Sequence, residues 1–272
     1  MISEITQNGR IVQIRAKTLD VNAYLILQSE YTIIIDSLLL PHDSQELQKI
    51  AAAYHKPVKY LINTHFHSDH CLGNRFLKQP DTIQVNQARY WETIVNEKAM
   101  INPKRQKQLD QSRLTKPEIT FDTEYKIDDL VLLSTPGHSA DSICLYLPQE
   151  KALIAGDTIL SNTSAKYSLP YFFWGSPTNL INSLQKLLKL NIATIYSGHG
   201  FPLPGTDKIE SDLIYLQNLC EQVQKYSAQS LTSQELAEKI TISDCLNSAQ
   251  PAAVPQVHEL NIRQLSHLPI IF

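Results

Sequence analysis

The run Asn63-Thr64-His65-Phe66-His67-Ser68-Asp69-His70 places four side chains that can bind a metal, His65, His67, Asp69 and His70, within six residues. It directly follows Tyr60-Leu61-Ile62, an apolar stretch that reads as a strand end. A loop leaving a strand can turn several side chains inward at once, as a dense metal site requires. Three more candidates lie downstream: His138 in Thr135-Pro136-Gly137-His138, Asp157 in Ala155-Gly156-Asp157-Thr158, and His199 in Ser197-Gly198-His199-Gly200. Each follows a β-like apolar stretch and stands beside glycine. One histidine near a strand end is ordinarily a packing residue. Five histidines and two aspartates in this order reverse that weighting: they can supply two metal ions and leave room for water, a catalytic rather than a structural arrangement.

The elements that would hold these residues can be read from hydrophobic periodicity. Ile11-Val12-Gln13-Ile14, Tyr24-Leu25-Ile26-Leu27 and Thr32-Ile33-Ile34-Ile35 read as strands, followed by a helix around 43–54 and a strand at 58–62. Residues 86–98 read as helix, and strand-like runs resume at 129–134, 142–147 and 152–155. Ser176-Pro177 is a helix start, with serine as cap and proline in the first turn. Leu180, Ile181, Leu184, Leu187 and Leu188 then carry one apolar face to the short strand Thr194-Ile195-Tyr196. Two β-rich halves, each interrupted by helices, predict an α/β protein with two sheets and helices outside. After Pro204-Gly205, Ile209, Leu213, Leu216, Cys220 and Val223 step by three and four along a long helix, with weaker helices near 233–240 and 256–267. The expected organisation is a catalytic core over 1–205 and a helical C-terminal region over 206–272 packed on it.

Composition narrows the class. The 272 residues are 43% hydrophobic and 19% charged with net charge -3, values of an ordinary globular protein with no global affinity for nucleic acid or anionic membrane. No apolar run reaches the ~20 residues of a membrane span. Met1-Ile2-Ser3-Glu4 does not open an export signal, so a cytoplasmic location is expected. Cys71, Cys144, Cys220 and Cys245 form no framework and read as reduced thiols, Cys71 not being counted among the ligands.

On Thr64-His65-Phe66-His67-Ser68-Asp69-His70, Thr135-Pro136-Gly137-His138-Ser139, Gly156-Asp157-Thr158 and Ser197-Gly198-His199-Gly200, the chain is similar to the metallo-β-lactamase superfamily over about residues 10–205. The resemblance implies an αββα sandwich of two mixed sheets with outer helices. It also implies His65, His67 and His138 on a first metal, Asp69, His70 and His199 on a second, and Asp157 bridging both. Two divalent ions roughly 3.5–4 Å apart lower the pKa of a shared water and steady the oxyanion formed when hydroxide attacks. Asp69 would orient that hydroxide. Zinc suits the histidine-rich set, and manganese or iron fits the same residues. Asp36, where the superfamily often has Asp-Thr-Gly, here stands in Asp36-Ser37-Leu38; it and Thr64 are candidates to support a ligand histidine. Five of the eight glycines (Gly73, Gly137, Gly156, Gly198, Gly200) lie within three residues of a proposed ligand, as tight turns would require, while His42, His55, His258 and His267 read as surface or packing residues.

Within the superfamily several branches fit poorly. Glyoxalase II enzymes follow the bridging aspartate with a Gly-Cys-Gly-Arg segment, where this chain has Leu160-Ser161-Asn162-Thr163-Ser164. Quorum-quenching lactonases place a tyrosine soon after that aspartate, where Thr158, Ile159 and Leu160 stand here. Zinc β-lactamases lack an aspartate at the bridging step, flavodiiron proteins replace the second histidine by glutamate, and mononuclear persulfide dioxygenases do not need His199. The segment from Gly156 to Gly200 looks like the lactamase-β-like endoribonuclease branch. Yet 206–272 carries eight acidic and four basic residues, a poor surface for phosphates. The one basic stretch is Lys98, Lys104, Arg105, Lys107, Arg113 and Lys116 against Asp110; it is a solvated face, a cover for an anionic substrate or an RNA contact. Tyr171-Phe172-Phe173-Trp174 divides between core packing and an acyl-pocket wall or homodimer contact. The expected activity is binuclear, zinc-dependent hydrolysis of a small ester, thioester or lactone, with phosphodiester or single-strand RNA cleavage as the alternative and a small molecule, not a membrane, as partner. An iron-dependent sulfur oxygenase or a non-catalytic relative is the reserve reading; retention of every ligand argues against a dead scaffold.

Overall fold

A computed structural model describes residues 1–100, 114–161, 168–172, 174–226, 229, 231–246 and 255–267. The chain divides into two compact units: Met1–Tyr125 with Gly198–Gly200, and Lys126–Ser197 with Phe201–Phe272. The first is built on a seven-stranded mixed sheet in sequential order: β1 (Ile2–Asn8), β2 (Ile11–Ala16), β3 (Asn22–Leu27), β4 (Thr32–Ile35), β5 (Val58–Ile62), β6 (Ile83–Gln87) and β7 (Ile119–Phe121). Strands β1 to β4 are antiparallel neighbours; β4 to β7 run parallel. The three strands expected at 11–36 are β2, β3 and β4, and their continuous Ile, Val and Leu runs are buried nearly throughout. The helix expected at 43–54 is α1 (Pro41–Ala52), started by a proline in its first turn.

The parallel register Ile35↔Ile62 brings β4 and β5 to an end together. Asp36 and Asn63 therefore leave the sheet side by side at its carboxyl edge, where open α/β sheets carry their sites. One-turn helices α2 (Ser68–Cys71) and α3 (Asn74–Leu77) follow, and α4 (Tyr90–Met100) is the helix expected at 86–98, preceded by β6 instead of beginning there. Gly73 lets the α2–α3 joint press onto the segment after β4: a Cβ there would stand 1.9 Å from the Ser37 carbonyl oxygen.

The second unit holds a six-stranded sheet, β13-β12-β11-β10-β9-β8, from β8 (Glu124–Ile127), β9 (Leu130–Ser134), β10 (Ile143–Leu147), β11 (Ala152–Gly156), β12 (Thr194–Ser197) and β13 (Leu203–Pro204). Helix α5 (Pro177–Leu187) begins as its sequence predicts, Ser176 Oγ accepting the Asn179 N–H and Pro177 in the first turn. It buries Leu180, Leu184 and Leu187. The long helix α6 (Asp207–Tyr226), with α7 (Ser233–Lys239), α8 (Ile242–Cys245) and α9 (Pro255–His267), shares one buried cluster with this sheet: Leu133, Leu153 and Ile195 meet Leu216, Leu236 and Ile262. Each large-to-small change among such side chains costs about 2–5 kcal/mol. None of the described helices is long and apolar enough to cross a membrane. All four cysteines are buried and none is in a disulfide, and Cys71 Sγ is turned to the Phe66 carbonyl at 3.1 Å.

Helix α6 opens on a buried ion pair one turn long, Lys208 with Asp212. Burial pushes the Asp212 carboxyl up to about 6 and lowers the Lys208 ammonium, while the attraction between them opposes both shifts. Such a pair is costly to halve and cheap to replace whole. Lys208→Met alone is expected to destabilise the protein by about 3–5 kcal/mol, with Lys208→Met/Asp212→Leu recovering most of the loss. Urea unfolding of the singles and the double checks this; strictly additive losses would contradict the account.

Candidate metal centre

In the first unit two of the ligand-type residues, His65 and His70, hang from one buried carboxylate. Asp36 directly follows β4 with φ +60 and is completely buried. Its Oδ1 accepts the Thr64 N–H at 2.7 Å, and its Oδ2 accepts the Thr64 hydroxyl at 2.9 Å and the His70 Nδ1–H at 2.8 Å. Burial raises its pKa, while His70 and Thr64 pull it back.

These contacts fix tautomers. The single hydroxyl proton of Thr64 goes to Asp36, so Thr64 Oγ1 can only accept from His65 Nδ1, 3.0 Å away. Both His65 and His70 thus carry their proton on Nδ1 and a lone pair on Nε2, the form a metal ligand needs. His199 reaches the same state through a backbone carbonyl, its Nδ1 lying 2.9 Å from Leu19 O. His67 turns its Nδ1 to His65 Nε2 at 2.9 Å, so two imidazole nitrogens converge.

The backbone at His70 is clamped from three sides, its carbonyl accepting from Ser37 N–H (2.9 Å), Ser37 Oγ (3.1 Å) and Asn63 Nδ2 (2.9 Å). Asn63 and Asn74 in turn exchange side-chain amide hydrogen bonds at 2.8 and 2.9 Å. Ser37, Asn63 and Asn74 were not singled out from sequence. The signal available was an asparagine at the end of an apolar strand, where a buried amide must find partners.

Asp69, His70 and His199 come together: one ligand atom from each lies within 4.8 Å of the others. Asp69 Oδ2 is 3.7 Å from His70 Nε2 and 3.4 Å from His199 Nε2. Donors around one small divalent ion, each about 2.0–2.2 Å from it, are spaced on this scale. With both Nε2 lone pairs free of protons and a carboxylate between them, the residues fit a divalent cation.

In the second unit His138 and Asp157 are neighbours, Nε2 to Oδ2 3.6 Å. The His138 Nδ1–H is held by the Tyr171 carbonyl at 2.7 Å, so here too Nε2 carries the lone pair. Its loop lies along the start of α5: Ser183 Oγ donates to Pro136 O and Ser176 N–H to Gly137 O. Gly137, φ +151, allows this approach, since a Cβ would stand 2.4 Å from Leu180 Cα. Asp157 follows β11, whose parallel pairing with β12 aligns Gly156 with Ser197.

Of the aromatic run, Phe172 is fully buried, Tyr171 and Trp174 are part-exposed, and Phe173 lies outside the described residues. Burial raises the Tyr171 phenol pKa. The basic stretch also falls outside them except for Lys98, described only as part of α4, and Lys116, which is exposed. His42 and His55 are exposed and His258 is buried packing.

A two-sheet α/β protein with histidines and aspartates gathered at strand ends is a metallohydrolase-type architecture. The sequence matches the metallo-beta-lactamase superfamily over residues 16–199, and the chain belongs to that family. A hydroxyacylglutathione hydrolase of Brucella anthropi is 27% identical over 194 residues, 68% of this chain and 67% of that protein. The beta-lactamase-like protein 2 homolog of Caenorhabditis elegans is 28% identical over 69% of this chain and 57% of its own length. A hydroxyacylglutathione hydrolase of Bartonella henselae is 30% identical over 64% and 59%. The matches thus span 57–67% of the length of these relatives. Among solved structures, a metallo-beta-lactamase from Hirschia baltica superposes with TM-score 0.64 at 15% identity, covering 78% of this chain and 96% of that one. The sec-alkylsulfatase Pisa1 from Pseudomonas sp. gives 0.73 at 16% identity, covering 96% and 49%. At these identities the likeness is one of fold, and the fold is the α/β metallo-β-lactamase fold with added C-terminal helices.

Asp36→Asn removes the acceptor that sets the His70 tautomer while keeping the volume. It is expected to weaken retention of the ion at Asp69, His70 and His199 by about ten- to a hundredfold. Metal content after equilibration with graded chelator measures this; unchanged retention would show that the carboxylate does not set the ligand.

Proposed function

We propose that the chain is a binuclear metal-dependent hydrolase of a small ester, thioester or lactone. The observation that carries the reading is the trio Asp69, His70 and His199, with both imidazole tautomers set so that Nε2 is available. Membership of the superfamily and relatives named as hydroxyacylglutathione hydrolases support it. We assign Asp69, His70 and His199 to one ion, His65, His67 and His138 to the other, and Asp157 to both. Divalent ions in these places, zinc in the first instance and manganese or iron through the same donors, would polarise the scissile carbonyl and acidify the attacking water.

The protein's own residues do the rest. Asp69 is part-exposed beside His199, and we give it the task of orienting the nucleophilic water. Asp36 and Thr64 keep the imidazoles immobile, so no reorganisation is needed as charge develops on the carbonyl oxygen. The reduced, buried cysteines accord with a protein of the cytoplasm. We retain residue 205 as the end of the part that carries the chemistry, with 206–272 as its helical support.

The test is turnover by metal-loaded protein on acyl esters, glutathione thioesters, lactones, phosphodiesters and labelled single-stranded RNA. His67→Ala and Asp157→Ala run alongside, with a chelator-treated control. Carbonyl substrates are expected to turn over, with each variant losing at least about a hundredfold as several kcal/mol of transition-state stabilisation disappears. Activity that survives both substitutions would refute the mechanism. Metal-dependent cleavage of RNA or phosphodiesters alone would move the chain to the nuclease reading.

A further inference from the structure

The C-terminal helix α9 sends one polar side chain into the core of the second unit, Asn261, and it is fully buried. Its Nδ2 donates to the Pro170 carbonyl at 2.8 Å and to the Tyr215 phenol oxygen at 3.3 Å. A carbonyl can only accept, so the amide nitrogen must face Pro170. The phenol is oriented in turn. His258 Nε2 lies 2.9 Å from the Ile240 carbonyl and therefore carries the ring proton, leaving Nδ1 to accept from Tyr215 at 2.9 Å. With its proton committed to His258, the Tyr215 oxygen is free to accept from Asn261. Every donor in the chain Asn261–Tyr215–His258–Ile240 has one direction it can take.

Pro170 sits in the strap Ser168–Phe172, where each residue is fastened differently. Leu169 and Phe172 are buried in the same apolar cluster as Ile262 and Leu265. Ser168 Oγ donates to the Ser161 carbonyl at 2.6 Å. Proline has no N–H, so the carbonyl gripped by Asn261 is the only backbone hydrogen-bonding group residue 170 has. The next carbonyl, that of Tyr171, holds His138 Nδ1. Two consecutive carbonyls of one strap thus face α9 and the candidate ligand. They lie in adjacent peptide planes that meet at the Tyr171 Cα, so turning the Pro170–Tyr171 plane breaks the Asn261 contact and moves the base from which the Tyr171 carbonyl is aimed.

We infer that Asn261 is a positioning residue for the metal centre: by holding the Pro170 carbonyl it sets the Tyr171 carbonyl that fixes the tautomer and aim of His138. The inference rests on the reading of His138 as a ligand. It gives α9, distant in sequence from every ligand, a defined task in the chemistry.

Metal binding to the full-length, metal-stripped protein tests it, using zinc alone against a chromophoric chelator, with the histidine 15N shifts recorded before zinc is added. Asn261→Leu is the main variant, and Asn261→Ser, too short to reach Pro170, serves if the leucine does not fold. Ile262→Val thins the packing of the same helix while leaving the Asn261–Pro170 hydrogen bond in place, and His138→Ala reports on the ligand itself. The expected result is that the Asn261 variant binds one of two ions about ten- to a hundredfold more weakly. The other ion should bind as in the parent, the His138 Nδ1 signal should shift in the metal-free protein, and Ile262→Val should change neither. Parent-like affinity and an unmoved His138 signal in the Asn261 variant, with His138→Ala losing an ion, would overturn the relay. So would equal losses in the Asn261 variant and Ile262→Val, which would mark general loosening of the helix. If His138→Ala still binds two ions as the parent does, the ligand reading fails and the inference falls with it.

Discussion

A carboxylate with no exposed surface stands at the root of the candidate centre. Taking Asp36 out of water is expensive, and burial alone drives its proton affinity up. What opposes this is the set of donors it has gathered, the Thr64 N–H, the Thr64 hydroxyl and the His70 imidazole N–H. The same three bonds that make the charge tolerable direct two imidazoles, His70 at first hand and His65 through the threonine hydroxyl. The arrangement needs β4 and β5 to end in register, because Asp36 leaves one and Thr64 the other. The parallel pairing in mid-sheet is therefore a condition for the site, not only for the core.

The backbone after β4 bears the cost of this geometry. Asp36 and Leu38 both have positive φ, at +60 and +66, a region glycine enters freely and other residues at a cost of order 1–3 kcal/mol. A glycine at position 38, as in the Asp-Thr-Gly the resemblance suggests, would meet that demand by residue choice. Here Leu38 is fully buried, and Ser37 holds the His70 carbonyl through both its N–H and its hydroxyl. Packing and hydrogen bonding keep the turn in place, with Gly73 supplying the close approach from the opposite side.

This division also explains what could be read from the sequence. The Ile-rich strands β2 to β4, the capped start of α5 and the stepping face of α6 announce themselves through local pattern. Strand β1 does not, because Ser3-Glu4-Ile5-Thr6-Gln7 is almost wholly exposed and exists as a strand only by pairing with β2. Strands β6, β7 and β8 carry Gln84, Asn86, Gln87, Thr120, Glu124 and Lys126 among their apolar residues, so no continuous apolar run marks them. At the candidate site the ligand types crowd into marked runs, so they could be named. Their supports could not: the Asn63–Asn74 amide exchange, the three-way clamp on the His70 carbonyl and the grip of Asn261 on Pro170 join residues 7 to 91 positions apart. Apart from the place of Asn63 at the end of an apolar strand, no local signal distinguishes these asparagines from ones in a turn.

The imidazoles are also anchored in two chemically different ways. His70 and His65 depend on side chains, so single substitutions at Asp36 or Thr64 reach them. His199 and His138 depend on carbonyls, those of Leu19 and Tyr171, which no side-chain change removes. A carbonyl anchor is only as good as the loop that presents it. Leu19 and Asp20 present theirs with φ of +60 and +57, two left-handed residues in succession. They are held there by contacts on both sides: Ala16 N–H to Val21 O, Gly200 N–H to Asp20 O, and Asn22 N–H to Gly198 O. The Leu19 side chain is largely exposed and adds little packing of its own, so the conformation must come from those backbone bonds. In such a loop, identity at position 19 matters through backbone preference more than through contact. Sequence change there would reach His199, the candidate ligand, by way of φ and ψ.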